Sequence, residues 1–300
     1  MPFSLATYNV LDLFDVSEGV TREHLDAKLA FLASTLERMN ADVVGFQEVG
    51  SGDVLRELVA RVPRLGYGEP VVGTADARGI RCAIVSRLPF LESRVHTAES
   101  LPFPIFYAGD PSPFGARLPL RRGIVGARID VGGSETVDVL VGHFKSGRAL
   151  PLRDANGEVP LVTPHDFAEA RLRTLVWRGA EALFVRGLVD DLLEASPERH
   201  VVVAGDLNDR PSSTVLQIVS GGGPLALFPC ADLVPQADRY SILHRGERQQ
   251  IDHILVTQGL RARLASARFL NEGLRDHSEF EDDAPPPADS DHAPFVVSFG

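Results

Sequence analysis

Asp206 and Asn208 stand just past the run His200-Val-Val-Val-Ala-Gly205, in which three valines and an alanine make a short, wholly apolar stretch of β-branched character. Such a stretch marks a strand buried on both faces. Gly205 lets the backbone turn at its end, and Pro211 keeps the strand from continuing. Two polar side chains are thereby delivered where a buried strand empties into a loop, the place where ligands collect in α/β sheets. The pattern recurs: residues 4–8 run into Asn9, 42–46 run through Gln47 into Glu48, and 137–142 run into His143. Two later segments reverse the order, with Asp252 and His253 ahead of 254–257, and Asp291 and His292 ahead of 294–299. If those two strands lie antiparallel to the first four, all six polar ends share one edge of the sheet system.

The chemistry open to this set is phosphate-ester hydrolysis, which needs a water made nucleophilic and stabilisation of charge on phosphoryl and leaving oxygens. Glu48, with Asn9 and Asp291, offers hard oxygen ligands suited to Mg²⁺ or Mn²⁺, and Ca²⁺ accepts the same donor type. No cysteine–histidine set speaks for structural zinc. Crowding Glu48, Asp206, Asp252 and Asp291 at one edge would raise some of their pKa values, a repulsion that a divalent cation relieves. His292 is a proton-transfer group whose tautomer Asp252 would fix, and Asp206 is a second candidate for orienting or deprotonating the attacking water. Asn208 and His143 can donate to non-bridging phosphate oxygens.

These residues run from position 9 to 292, so a two-domain cut would sever the site, and one domain over 1–300 is expected. No apolar run approaches the ~20 residues of a membrane span. The first residues carry neither a basic segment nor a long apolar one. A cytoplasmic, monomeric protein is the expectation, with secretion open for a chain that had lost a leader. Cys82 and Cys230 read as two idle thiols. The net charge of −11 argues against a broad, sequence-independent grip on DNA. Much of the excess is local: Glu279, Glu281, Asp282, Asp283 and Asp289 crowd one proline-rich loop, which reads as a solvated flap.

The positioning elements follow from periodicity. Thr21 is a plausible N-cap for a helix whose Leu25, Leu29, Leu32 and Leu36 recur at helical spacing to Met39. A second helix is expected over 53–62, strands over 69–73, 80–85, 124–131 and 137–143, a long helix over 167–195 with Trp177 in the core, and a short helix over 214–220. Strands over 251–256 and 265–270 and a final strand complete the chain. Prolines in 101–114 forbid a central strand, so its rings are expected to fill a sheet edge; the sharper alternative is a lip that stacks bases or touches lipid. Lys145, Arg148 and Arg153 follow His143, a placement of cations that suits a phosphate, Lys145 above all. His96, His165, His200, His244, His253 and His277 show no partner pattern.

Together, Tyr8-Asn9-Val10, Gln47-Glu48-Val49, Gly142-His143, Gly205-Asp206-Leu207-Asn208, Ile251-Asp252-His253-Ile254 and Ser290-Asp291-His292-Ala293-Pro294 resemble the endonuclease/exonuclease/phosphatase superfamily, in the family order over nearly the whole chain. The His-Phe-Lys-Ser form at 143–146 is most similar to bacterial deoxyribonuclease-type nucleases, and Arg117 resembles that group's phosphate-contacting arginine. Gly50 stands where pancreatic deoxyribonuclease has an arginine, and Leu11 where apurinic endonucleases have an aspartate, with Asp12 one place later. The resemblance implies an α/β four-layer sandwich, two mixed β-sheets packed face to face with helices on both outer faces. It also implies a divalent-metal-dependent phosphodiesterase acting on DNA or RNA. A phosphatase or phosphodiesterase for a small-molecule or lipid phosphate ester is the alternative, and a binding module without activity a third class.

Overall fold

A computed structural model describes every residue except 18, 112, 114, 116, 156 and 280–286, so Glu281, Asp282, Asp283 and Phe114 lie outside the described residues, as does the side chain of Glu279. Two six-stranded mixed sheets form the body. In chain order the strands are β1 (Phe3–Leu13), β2 (Val43–Val49), β3 (Val71–Val72), β4 (Arg81–Ser86), β5 (Phe90–His96), β6 (Ile124–Gly132), β7 (Glu135–His143), β8 (His200–Asp206), β9 (Leu227–Pro229), β10 (Asp252–Thr257), β11 (Leu264–Phe269) and β12 (Phe295–Phe299). One sheet runs β11-β12-β1-β2-β4-β3 and the other β9-β10-β8-β7-β6-β5.

Strand direction gathers the polar ends. β1 and β2 are parallel while β12 is antiparallel to β1. In the second sheet β7 and β8 are parallel and β10 is antiparallel to β8. The residues that leave β1, β2, β7 and β8 therefore share an edge with those that enter β10 and β12. Register is tight here: Asp206 faces His143 on one side and Asp252 on the other.

Four layers follow from burial. Apolar side chains of both sheets, among them Leu5, Val43, Ile84, Val125, Val139, Val202, Ile254 and Phe295, interlock in a central core. The outer face of the first sheet is covered by α1 (Arg22–Met39) and α2 (Gly52–Ala60), and that of the second by α3 (Pro164–Ala195) and α4 (Thr214–Ser220). Thr21 caps α1 as expected, its hydroxyl accepting from the His24 N–H. Cys82 and Cys230 are both buried free thiols. Among the described residues, no helix is long and apolar enough to cross a membrane.

Several expectations fail locally. Along α3, Leu172 and Leu175 are 58% and 45% exposed, and Trp177 is half-buried with Arg121 over its ring at 5.4 Å, not a core residue. The apolar cluster under the second sheet takes residues of this helix only from Ala182 onward; the N-terminal half buries Ala170 and Thr174 against the 148–150 loop and leaves these leucines in solvent. Strand β5 escaped prediction because it is an edge strand with exposed Leu91, Glu92, Ser93 and Arg94. Phe106 and Tyr107 do not fill a sheet edge, being 82% and 77% exposed, while Leu101 is buried. Asp289 is no solvated flap residue either, since it is buried against Arg275 and, at 3.4 Å, His277.

Candidate functional site

At the shared edge, Asp206 is the hub. Its Oδ1 accepts the Asn208 backbone N–H at 3.0 Å. Around Oδ2 stand Asn9 Nδ2 at 3.1 Å, His143 Nε2 at 3.4 Å and His292 Nε2 at 3.9 Å. Burial, then the Asp252 charge, raise the Asp206 carboxyl to about 7, against the lowering effects of His292 and Asn9. Gly205 makes this geometry possible. Its φ of 141° and its pairing with Gly142 let two strand backbones meet so closely that a Cβ would sit 1.9 Å from the Gly142 carbonyl oxygen.

The second anchor is Asp252, whose Oδ2 lies 2.7 Å from His292 Nδ1. Burial of His292 opposes its charged form, but Asp252, Asp291 and Asp206 together outweigh that cost and hold the pKa well above that of a free histidine. Ser241 sets the pair in place, its hydroxyl accepting the Ile251 and Asp252 N–H groups while its carbonyl accepts the Ala293 N–H. Ser290 does the same for the last turn, donating to the Asn9 carbonyl at 2.7 Å and accepting the His292 N–H. His143 behaves oppositely to His292. Burial and then Arg122 push its pKa well below the usual value, so it is a neutral ring.

Glu48 is aimed by an irregularity. The β1–β2 register shifts between Asn9 and Leu13, and Leu11, Asp12 and Glu48 all take left-handed φ angles of 51°, 50° and 64°. The Asp12 N–H thereby reaches Glu48 Oε2 at 3.1 Å, and Asn9 Nδ2 reaches Glu48 Oε1 at 3.4 Å. Asn9 was expected to present its oxygen as a ligand; instead Oδ1 accepts the Leu11 N–H and the amide nitrogen bridges Glu48 and Asp206. Burial, with Glu48 beside it, raises the Asp12 carboxyl to about 6, and Arg78 grips it at 2.6 and 2.7 Å.

The donor set fits a hard divalent cation. Oxygen ligands predominate, and Asp252 Oδ1 and Asp291 Oδ1 are buried atoms with no hydrogen-bond partner. Ligand atoms of Asp206, Asp252 and His292 also lie within 4.8 Å of one another. Asp252 and His292 are already joined to each other at 2.7 Å, so Asp291 is the freer donor, with Glu48 beside it accepting single hydrogen bonds on each oxygen.

Of the residues singled out in the sequence, Asn9, Glu48, His143, Asp206, Asn208, Asp252, Asp291 and His292 are brought together; Arg117 and Lys145 are not. Arg117 is exposed on the loop before β6, with no hydrogen bond or ion pair joining it to the site among the described residues. The Lys145 ammonium is committed to the Ser146 carbonyl and hydroxyl and the Arg148 carbonyl. Desolvation brings its pKa down to about 8. Asn208 also spends one amide hydrogen, on the Phe144 carbonyl at 3.1 Å, leaving one for a ligand.

Three cations that the sequence did not single out support the site from behind. Arg122 is buried, paired with Asp76 at 2.9 Å and donating to the carbonyls of His143 and Phe144. Lys28 is buried on α1, donates to the Asp289 carbonyl, and has its pKa brought down to about 8 by burial in spite of Asp12, Asp289, Asp291 and Glu48 around it. The third is Arg78 on Asp12. Lys28 had a signal, a charge within the stripe of Leu25, Leu29 and Leu32; Arg122 had none to separate it from Arg121. His253, set aside in the sequence, is buried and bonds the Asp209 carbonyl at 2.9 Å, holding the loop after Asn208.

A model of the endonuclease/exonuclease/phosphatase family matches residues 6–292 of this chain. No curated protein matches its sequence. Among solved structures, a humanized Danio rerio TDP2 superposes with a TM-score of 0.61 at 16% identity, covering 100% of this chain and 99% of that one. The human Nocturnin catalytic domain with bound sulfate gives 0.63 at 15%, covering 100% and 94%. The 3′ phosphatase NExo from Neisseria, bound to a product DNA hairpin, gives 0.57 at 19%, covering 99% of each chain. At such identities these likenesses speak for the fold.

Proposed function

Since this chain belongs to the endonuclease/exonuclease/phosphatase family and is a phosphoester hydrolase, we propose that it is a divalent-metal-dependent phosphodiesterase that hydrolyses P–O bonds of nucleic acid by in-line attack of water. The observation that supports this most directly is the convergence of Asn9, His143 and His292 on one oxygen of Asp206, with His292 paired to Asp252 at 2.7 Å.

Each residue has a distinct task in this reading. Asp206, raised to about 7, is a carboxylate poised near neutral pH and takes the proton of the attacking water. His292 is held charged, so it serves as a donor to the phosphoryl group where negative charge develops, not as the base. Asp252 orients that ring and stabilises its charge. His143 and the free amide hydrogen of Asn208 donate to non-bridging oxygens, and Asn9 keeps Glu48 and Asp206 at fixed separation. Glu48 and Asp291 would hold Mg²⁺ or Mn²⁺, which supplies Lewis-acid neutralisation of the phosphoryl charge when bound.

The test is incubation with supercoiled plasmid, single-stranded DNA, RNA, a chromogenic phosphodiester and a chromogenic phosphomonoester, in Mg²⁺, Mn²⁺, Ca²⁺ or chelator. Nicking and diester turnover that vanish with chelator are expected. Asp206→Asn and His292→Ala should each lower kcat by about 10² or more in protein that circular dichroism shows to be folded. Turnover of the monoester alone would overturn the nucleic-acid assignment.

A further inference from the structure

We propose that the cleft beside the loop after Asp206 is a second phosphate subsite, seating the backbone of a polynucleotide strand beyond the scissile bond. This rests on the phosphodiesterase reading and extends it from a bond to a polymer. The cleft is an open cavity of about 510 Å³ whose walls include Arg210, Ser212, Arg239, Arg248 and Gln250. One wall is the loop that follows Asn208; the other is the hairpin of Ile242–His244 and Glu247–Gln249 that leads into β10. Three guanidinium groups around one hollow are unexpected in a chain of net charge −11. Guanidinium is the group suited to forked recognition of phosphate.

The three arginines are prepared to different degrees. Arg239 is fixed by the carbonyls of Asp232 and Val234, with the Asp232 carboxylate 3.5 Å away. Arg248 donates to the Ala237 carbonyl at 2.9 Å and lies 4.8 Å over the Tyr240 ring; no carboxylate pairs with it among the described residues. Arg210 is exposed and 3.6 Å from an equally exposed Glu247, a pairing that solvent weakens and a phosphate can displace.

Gln250 is the independent pointer to a ligand. It is 5% exposed, and its Oε1 has no partner while its Nε2 meets His253 Nδ1 at 3.2 Å. Satisfying this acceptor takes a donor, which a simple anion lacks and the hydroxyl and amino groups of a nucleotide supply once the side chain turns toward the cleft. The wall is continuous with the proposed catalytic groups, since His253 bonds the Asp209 carbonyl, next to Asn208. Two residues of chain, from Asn208 to Arg210, span at most ~7 Å, so a strand whose scissile phosphate lies at Asp206 has further backbone within reach of the cleft. A small phosphoester carries no second phosphate to place there; a strand does.

The experiment compares wild type, Arg248→Gln, and the double variant Arg210→Gln/Arg248→Gln, on a single-stranded oligonucleotide and on the chromogenic diester, in the metal that supports turnover. The expected result is an oligonucleotide KM raised about tenfold by the double variant, with chromogen kcat/KM within about twofold of wild type. The slope of log affinity against log salt should flatten by about 0.7 for each phosphate contact removed. Unchanged KM and slope would overturn the subsite while leaving the phosphodiesterase reading intact. Wild type inert on both substrates would instead overturn that reading. If the double variant also loses chromogen turnover, the loop has been disturbed, and Arg248→Gln on the facing hairpin decides alone: an unaltered oligonucleotide KM there refutes the proposal.

Discussion

Replacing Gly205 with alanine should damage catalysis more than its size suggests. A Cβ at this position would lie 1.9 Å from the Gly142 carbonyl oxygen and 2.9 Å from its carbon, where ordinary contact begins at 3.4 Å. Strand β8 must therefore retreat from β7 by roughly 1.5 Å, the shortfall between those distances, within a ladder whose strands are spaced ~4.8 Å apart. The φ of 141° adds strain for any side chain, of order 1–3 kcal/mol, and stretched ladder bonds add ~1 kcal/mol each. The residue that moves with the strand is Asp206, set against His143 at 3.4 Å. A displacement of ~1 Å at a reacting group costs about 10²-fold in rate. Gly205→Ala should thus lose about 3 kcal/mol of stability and at least 10²-fold in diester kcat at temperatures where it is still folded. Gly142→Ala is the control, because its Cβ meets the end of the Ile124 side chain at 3.1 Å and the Phe144 ring at an ordinary 3.6 Å, and no backbone atom. Stopped assays of diester turnover, with circular dichroism to confirm folding, read both quantities. A folded Gly205→Ala protein with kcat within about threefold of wild type would refute the account of how Asp206 is placed.

Other expectations follow from groups behind the site. Glu181 is buried and raised from 4.5 to about 7 by desolvation. Its folded pKa exceeds the unfolded one, so its contribution is fully present below pH 4.5 and disappears as pH rises through 7, a change of up to ~3 kcal/mol. Urea midpoints at pH 5 and 7.5 should accordingly differ more for wild type than for Glu181→Gln, which can still accept the Lys145 N–H; equal pH slopes would contradict this. Arg122→Met strands the buried Asp76 carboxylate and should cost ~3–5 kcal/mol, read as a melting temperature lowered by ~8 °C or more; an unmoved melting curve would sink the claim. Asp252→Asn keeps the hydrogen-bond geometry toward His292 but removes its counter-charge, and should lower diester kcat by about 10² or more at temperatures where the variant is still folded. Wild-type turnover in that variant would mean that the pair does not act in the reaction.

The shared edge was legible because a buried strand and its polar exit can be read from a few residues, and because the reversed order at Asp252 and Asp291 fits antiparallel neighbours; the four-layer class followed from the resemblance those motifs carry. The structure shows those antiparallel pairings, β8 with β10 and β1 with β12. Less legible were the groups whose position depends on loops. Arg117 and Lys145 drew attention by charge and proximity in sequence, yet one is turned to solvent and the other to carbonyls of its own loop. Arg122 is buried because Asp76, from the segment between β3 and β4, comes to meet it, a pairing across 46 residues that no local spacing encodes. Asp12 likewise depends on a bulge: two left-handed residues in a row carry it to Glu48, and nothing in Leu11 or Asp12 as residue types announces that conformation.

Strand β12 lies between β11 and β1, inside its sheet and not at the margin, and the turn that precedes it is fastened to Asn9 through Ser290. A constellation begun at Asn9 is therefore completed by a turn 281 residues further along the chain. Until β12 docks, no His292 stands beside Asp206, so a folding intermediate that lacks this one strand and the turn before it has the rest of the centre and still lacks its charged donor.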